Sequence, residues 1–158
     1  MNDIFVVNGG YPLKGEIEAG GAKNVVLPAL VAGLLTEEKI VLENVPLIAD
    51  LFSMIHICET LGVKTNLNGH ELTIDNNNFL NAEISLEAAA KLRTSFMMVI
   101  PLLLRFGKAK IPNPGGCRIG ARPVERLIEG LEKLGVKIKY LPEDGYFYAE
   151  AKKLIGAT

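Results

Sequence analysis

Cysteine is almost missing from this 158-residue chain: the two present, Cys58 and Cys117, are too few for a disulfide framework. A reducing, cytoplasmic setting is therefore the simplest expectation. Net charge is nearly missing as well. The 17 Lys and Arg against 18 Asp and Glu leave −1, so neither nucleic acid nor an anionic membrane is expected as a partner. Long hydrophobic runs are lacking: the most apolar, residues 96–104, lies between Arg93 and Arg105 and is too short to span a bilayer. The first ten residues have no charged head followed by a long apolar stretch, which argues against a signal peptide. His56 and His70 stand apart, without Cys or His at metal spacing, so no metal site and no cofactor is expected. What remains is apolar material, 49% of the residues, enough at this length for one domain with a real core.

The chain reads as one unit written twice. Leu61-Gly62-Val63-Lys64 returns as Leu134-Gly135-Val136-Lys137, and Ala22-Lys23-Asn24 aligns with Leu92-Arg93-Thr94. The two matches differ in offset by three residues, an insertion expected in the loop that holds Cys117. Each copy opens with a helix apolar nearly all round, residues 24–35 and 94–106, a pattern of burial. Short strands are expected at 39–43 and 108–111. An amphipathic helix follows, whose stripe Leu51, Met54, Ile55, Cys58, Leu61 becomes Val124, Leu127, Ile128, Leu131, Leu134 in the second copy. Cys58 thus stands at a leucine position and reads as core. Hairpins close the units: 63–67 with 70–74 through Asn68-Gly69, and 136–140 with 146–150 through Glu143-Asp144-Gly145. A strand at 82–84 leads into the second buried helix, and residues 75–81 read as a polar surface turn. Such layering is α+β.

The stretch Pro114-Gly115-Gly116-Cys117-Arg118-Ile119-Gly120-Ala121-Arg122-Pro123-Val124 is the one most suited to chemistry. Glycines let a backbone approach a ligand closely, and neighbouring cations favour the reactive thiolate of Cys117. Arg122 offers the planar donor fork that suits phosphate or carboxylate. Pro123 fits a first helical position, where backbone N–H groups face outward. Pro-Gly-Gly is also ordinary turn punctuation, and lone cysteines are usually small core residues. Lys23 and Arg93 each head a buried helix, a poor place for a cation unless an anion binds there. The alternative is that both extend into solvent.

This run, together with Gly21-Ala22-Lys23-Asn24, resembles the enolpyruvyl transferase family, in its branch that acts on UDP-N-acetylglucosamine. The resemblance covers essentially the whole chain. It implies the family's inside-out α/β barrel of βαβαββ repeats with buried helices, three repeats per domain in two domains. About two repeats of one domain are expected here. Residues 1–20 would be opening strands that pack into the second domain, repeat one would run over about 21–84 and repeat two over about 85–158. The implied activity is transfer of the enolpyruvyl group from phosphoenolpyruvate to the sugar, the first committed step of peptidoglycan synthesis. Cys117 would be the proton donor and the target of fosfomycin, with Lys23 as a second catalytic group. Lys23, Asn24 and Arg122 would contact phosphoenolpyruvate. Asn24, Arg93, Arg122, Pro123, Val124, Glu125 and Arg126 would border the UDP-sugar.

The chain departs from the family where Asp-x-His is usual, reading Glu125-Arg126-Leu127. Glu changes the reach of the charge, and Leu127 removes an imidazole. A catalytically silent sugar-nucleotide-binding protein is therefore the competing expectation, with a transferase acting on shikimate 3-phosphate behind it. With the family's second domain and third repeat not represented, the chain is expected to be inactive alone and to self-associate through an unfinished core.

Overall fold

The structure is a computed structural model and describes residues 4–90, 92–114 and 124–157. In copy one, α1 (Lys23–Gly33) leads to β1 (Ile40–Leu42), α2 (Ala49–Thr60) and a hairpin of β2 (Lys64–Asn68) and β3 (Glu71–Asp75). In copy two, a short α3 (Leu86–Ala89) and a 3-10 segment (Arg93–Met98) precede α4 (Val99–Phe106). Then come β4 (Lys108–Pro112), α5 (Glu125–Lys133) and a hairpin of β5 (Lys137–Leu141) and β6 (Tyr146–Glu150). The two antiparallel sheets have the same spatial order, β1-β3-β2 and β4-β6-β5. Strand register relates the two copies residue by residue. Lys64 pairs with Asp75 and Lys137 with Glu150, while Ile40 pairs with Ile74 and Ala109 with Ala149. Lys64 and Lys137 are 73 positions apart but Ile40 and Ala109 only 69. Copy two is therefore four residues longer between its first strand and its outer helix, one more than the sequence offsets give, and the excess falls in the stretch that holds Cys117.

One hydrophobic cluster runs through both copies, from Leu27, Leu30 and Val31 of α1 and Leu51, Met54, Ile57 and Cys58 of α2 to Leu102 and Leu103 of α4. α1 packs against α2 and against the 3-10 segment. Arg105, on α4, ties the copies together at the far end. Its guanidinium donates to the Glu37 carboxylate at 3.1 Å and to the Thr36 carbonyl, and lies over the Phe79 ring. Phe79 in turn meets Phe106 edge-on, with centroids 6.2 Å apart. Asn76, buried where copy one hands over to copy two, donates through Nδ2 to the carbonyls of Gly33 and Glu38.

Three expectations change. The second buried helix is not α-helical throughout, because residues 93–98 take the tighter 3-10 path. Pro101 lacks the N–H that would bond the Met97 carbonyl, which weakens the α ladder at that junction. The first hairpin turns at Gly69-His70 rather than Asn68-Gly69, since Asn68 pairs with Glu71. Gly69 has φ +56 at the first central position, the pattern of a type II′ turn. Residues 82–84 make one parallel bridge, Glu83 to Lys110, and no full strand. The chain leaves at once for α3, whose N-cap Ser85 accepts from the Ala88 N–H at 3.2 Å. Residues 4–21 form no strand among the described residues, and Ile4, Phe5, Val6, Val7, Leu13 and Ile17 are exposed. A strand needs a partner edge, and no described residue supplies one.

Candidate functional site

Lys23 is the first residue of α1, entered from Ala22 in extended conformation. The approach is tightly set. A Cβ on Gly21 would lie 1.9 Å from the Asn44 carbonyl oxygen, so only glycine lets the chain pass there. Asn44 itself is left-handed, with φ +52, at the exit from β1. Pro28 sits inside α1 and lacks the N–H that would bond the Asn24 carbonyl. The Asn24 carbonyl thus lacks the Pro28 N–H as a helical partner, and Lys23 and Asn24 are both exposed.

The Lys23 ammonium has a partner. Nζ lies 2.6 Å from Oδ2 of Asp50, which stands in the first turn of α2. Asp50 escaped the sequence reading. An acidic residue in a first helical turn is a visible signal of dipole compensation, but its meeting with Lys23 depends on how α1 docks on α2. Arg93 is half-buried and heads the 3-10 segment packed against α1, so Lys23 and Arg93 open neighbouring helical segments as the repeat requires.

The remaining expected residues fall into two groups. Val124 is half-buried at the N-cap of α5, and Glu125 and Arg126 are exposed in its first turn. Leu127 packs half-buried against the core, so a leucine suits the helix where an imidazole is usual. No hydrogen bond or ion pair among the described residues joins Glu125 or Arg126 to Lys23 or Arg93. Cys117, Arg118, Arg122 and Pro123 lie outside the described residues. The root of their stretch is described: the Asn113 N–H donates to the Gly145 carbonyl at 2.8 Å. Copy one makes a similar bond one position further along, Val45 N–H to the His70 carbonyl at 2.8 Å, and adds a second in which His70 Nδ1 meets the Val45 carbonyl at 2.8 Å.

Electrostatics separate inert from useful groups. Burial pushes the Cys58 thiol up to about 12, and the neighbouring Glu59 carboxylate acts in the same sense. Cys58 is wholly buried and is a core residue, as its leucine-equivalent position predicts. Beside the root at Asn113, a polar chain runs over β4 and β6. Glu83 accepts from Lys110 at 2.7 Å, Lys110 lies 4.3 Å from the Tyr146 ring centre, and Tyr148 donates to Asp144. The bond to Glu83 raises the Lys110 pKa; the Tyr148 hydroxyl lowers that of Asp144 and is itself raised. Asp144 also accepts from the Tyr146 N–H, so this chain braces the hairpin tip whose Gly145 carbonyl holds Asn113. Its role is structural support.

Comparison with known proteins bears on the family and the fold. The family described as EPSP synthase (3-phosphoshikimate 1-carboxyvinyltransferase) matches residues 7–157. A protein of Koribacter versatilis called UDP-N-acetylglucosamine 1-carboxyvinyltransferase is 42% identical over 158 residues, covering 98% of this chain and 36% of the relative. One of the same name from Gluconacetobacter diazotrophicus is 43% identical over 157 residues, 98% of this chain and 37% of the relative. The Thermotoga maritima protein of that name is 42% identical over 135 residues, 85% of this chain and 32% of its own. The chain thus spans about a third of the length of the curated relatives it matches. Among solved structures, the enolpyruvyl transferase NikO from Streptomyces tendae superposes with a TM-score of 0.76 at 22% identity. That match covers 92% of this chain and 32% of NikO, and it concerns the fold.

Proposed function

Because this chain belongs to the EPSP synthase family, we propose that it is the front portion of an enzyme transferring the enolpyruvyl group from phosphoenolpyruvate to the 3-hydroxyl of UDP-N-acetylglucosamine. The observation that carries this reading is the 42% identity, across 98% of the chain, to a relative named for that reaction. The reaction belongs to peptidoglycan synthesis, in the cytoplasm.

In this reading Cys117 gives a proton to the methylene carbon of phosphoenolpyruvate. The sugar hydroxyl forms its bond to the adjacent carbon and surrenders its proton to a base. Phosphate then leaves with its bonding electrons while the new methyl group loses a proton, which restores the double bond. Lys23, Asn24 and Arg122 face the carboxylate and phosphate, where fixed cations stabilise the charge that gathers on the departing group. Asn24, Arg93, Arg122, Pro123, Val124, Glu125 and Arg126 border the sugar nucleotide. The deprotonating carboxylate that the family uses is not among these residues. Residues 4–17, with their apolar side chains in solvent, suit a strand pair completed by another domain.

The test is phosphate release by the intact protein with phosphoenolpyruvate and UDP-N-acetylglucosamine, with shikimate 3-phosphate as the competing acceptor. Cys117→Ala should lower turnover by about 10²–10⁴-fold, the usual contribution of a positioned proton donor. Fosfomycin should label Cys117 and leave Cys58 untouched. Full turnover by Cys117→Ala, or preference for shikimate 3-phosphate, would sink the reading. The 158-residue chain alone is expected to release no phosphate, because the family's cleft draws charges from two domains.

A further inference from the structure

We propose that Asp50 is a positioning residue that holds the Lys23 ammonium at the anion site and moderates that site's affinity; the argument rests on the reading of Lys23 as an anion contact. Lysine carries a compact charge on a flexible four-carbon stem, and at the positive end of α1 no described neighbour on that helix pairs with it. The Lys23 side chain is 55% exposed, so solvent does not fix it either. Asp50 does. Its carboxylate comes from a different helix, α2, docked on α1 through a shared core, and it sits in a first turn where the helix dipole favours a negative charge. The 2.6 Å contact to Nζ uses one of three ammonium N–H donors and leaves two for an oxyanion.

The same carboxylate opposes any anion that arrives. Asp50 therefore gives orientation at the expense of affinity, and the two effects move in opposite directions when the charge is removed. Asp50→Asn keeps the size and one oxygen acceptor but drops the charge. Binding of an anion should tighten severalfold, while turnover of the intact enzyme should fall about tenfold or more, because small misplacements of a reacting group are costly. A residue that merely supported the fold would weaken both together.

The first arm measures the affinity of the chain for inorganic phosphate by calorimetry, in wild type, Asp50→Asn, Asp50→Glu and the same changes in a Lys23→Met background. Tighter binding in Asp50→Asn, return toward wild type in Asp50→Glu, and loss of most of the difference without Lys23 are expected. Equal affinities, weaker binding in a folded Asp50→Asn protein, or no phosphate binding by any variant would overturn the proposal. The second arm measures kcat and KM for phosphoenolpyruvate in the intact protein, where both should fall in Asp50→Asn. An intact wild-type protein that turns over no phosphoenolpyruvate would refute the enolpyruvyl reading, and the phosphate arm would still decide the role of Asp50.

Discussion

The outer helices of the two copies carry the same stripe and meet different fates. In α2, Leu51, Met54, Cys58 and the C-cap Leu61 are completely buried. At the matching places in copy two, Val124, Leu127 and Leu134 are only half-buried and Leu131 is covered, while Ile55 and its equivalent Ile128 are half-buried alike. The sequences are comparable; the neighbours are not. α2 is held between α1, its own β2 and the α3 of the next copy, whereas α5 rests mainly on β5. An amphipathic stripe states which face wants cover, and the next unit along the chain decides how much it receives.

The sharpest way to probe this contrast uses two equivalent glycines. Gly62 has φ +91, and a Cβ there would lie 2.3 Å from the Asn78 carbonyl oxygen and 2.5 Å from Leu80 Cγ. Gly135 has φ +88, but its nearest neighbour is a flexible Ile155 side-chain carbon at 3.4 Å. Gly135→Ala should cost about 1–2 kcal/mol for the left-handed backbone. Gly62→Ala should cost more, about 3–5 kcal/mol, because backbone must move as well. Urea unfolding of both variants checks it, and equal losses would remove the difference in cover.

Next in size is Leu61→Ala against Leu134→Ala, at matching helix ends where helix propensity contributes little. Removing the buried Leu61 should cost about 2–5 kcal/mol, and the half-covered Leu134 roughly half as much. Equal destabilisation would mean that α5 is as well packed as α2.

Cys58 gives a third contrast, now with pH. Its thiol is near 9 when unfolded and about 12 when folded, so the folded state keeps a proton that the unfolded state releases. Stability from this source is complete below pH 9 and is lost as pH rises toward 12. The slope is about 1.4 kcal/mol per pH unit. Cys58→Ala should flatten that part of the stability profile, and an unchanged slope would contradict the burial. Smallest is His70, whose ring bond to the Val45 carbonyl has no counterpart at Gly145. His70→Ala should cost about 0.5–1.5 kcal/mol, while any substitution effect at Gly145 arises from its φ of +77 instead.

The repeat explains how much of this was legible beforehand. Leu61-Gly62-Val63-Lys64 and its echo gave both hairpins, both outer helices and the core assignment of Cys58, since periodicity and spacing are local properties. The order of elements and the α+β layering followed from them, whereas the enolpyruvyl transferase fold was implied by the resemblance carried by residues 114–124 and Gly21-Ala22-Lys23-Asn24. What stayed hidden depends on contacts between distant residues. His70 lies in the turn and is tied to Val45, 25 positions away, which an Asn-Gly pair does not reveal. Ser85 caps a four-residue helix only because the chain leaves the Glu83 bridge there. Asp50 reaches Lys23 across a helix–helix interface, so a residue of the site was invisible while its partner was not.

Arg105 has one further implication, for cooperativity. Copy two sends this side chain back to close the end of α1 in copy one, and copy one sends Phe79 forward onto Phe106. A duplicated unit that began as self-sufficient would have had neither contact. With both in place, severing the chain between residues 81 and 82 would strip the cover from Phe79 and leave the Thr36 carbonyl unanswered. The halves are therefore expected to melt as one transition and not as two independent foldons.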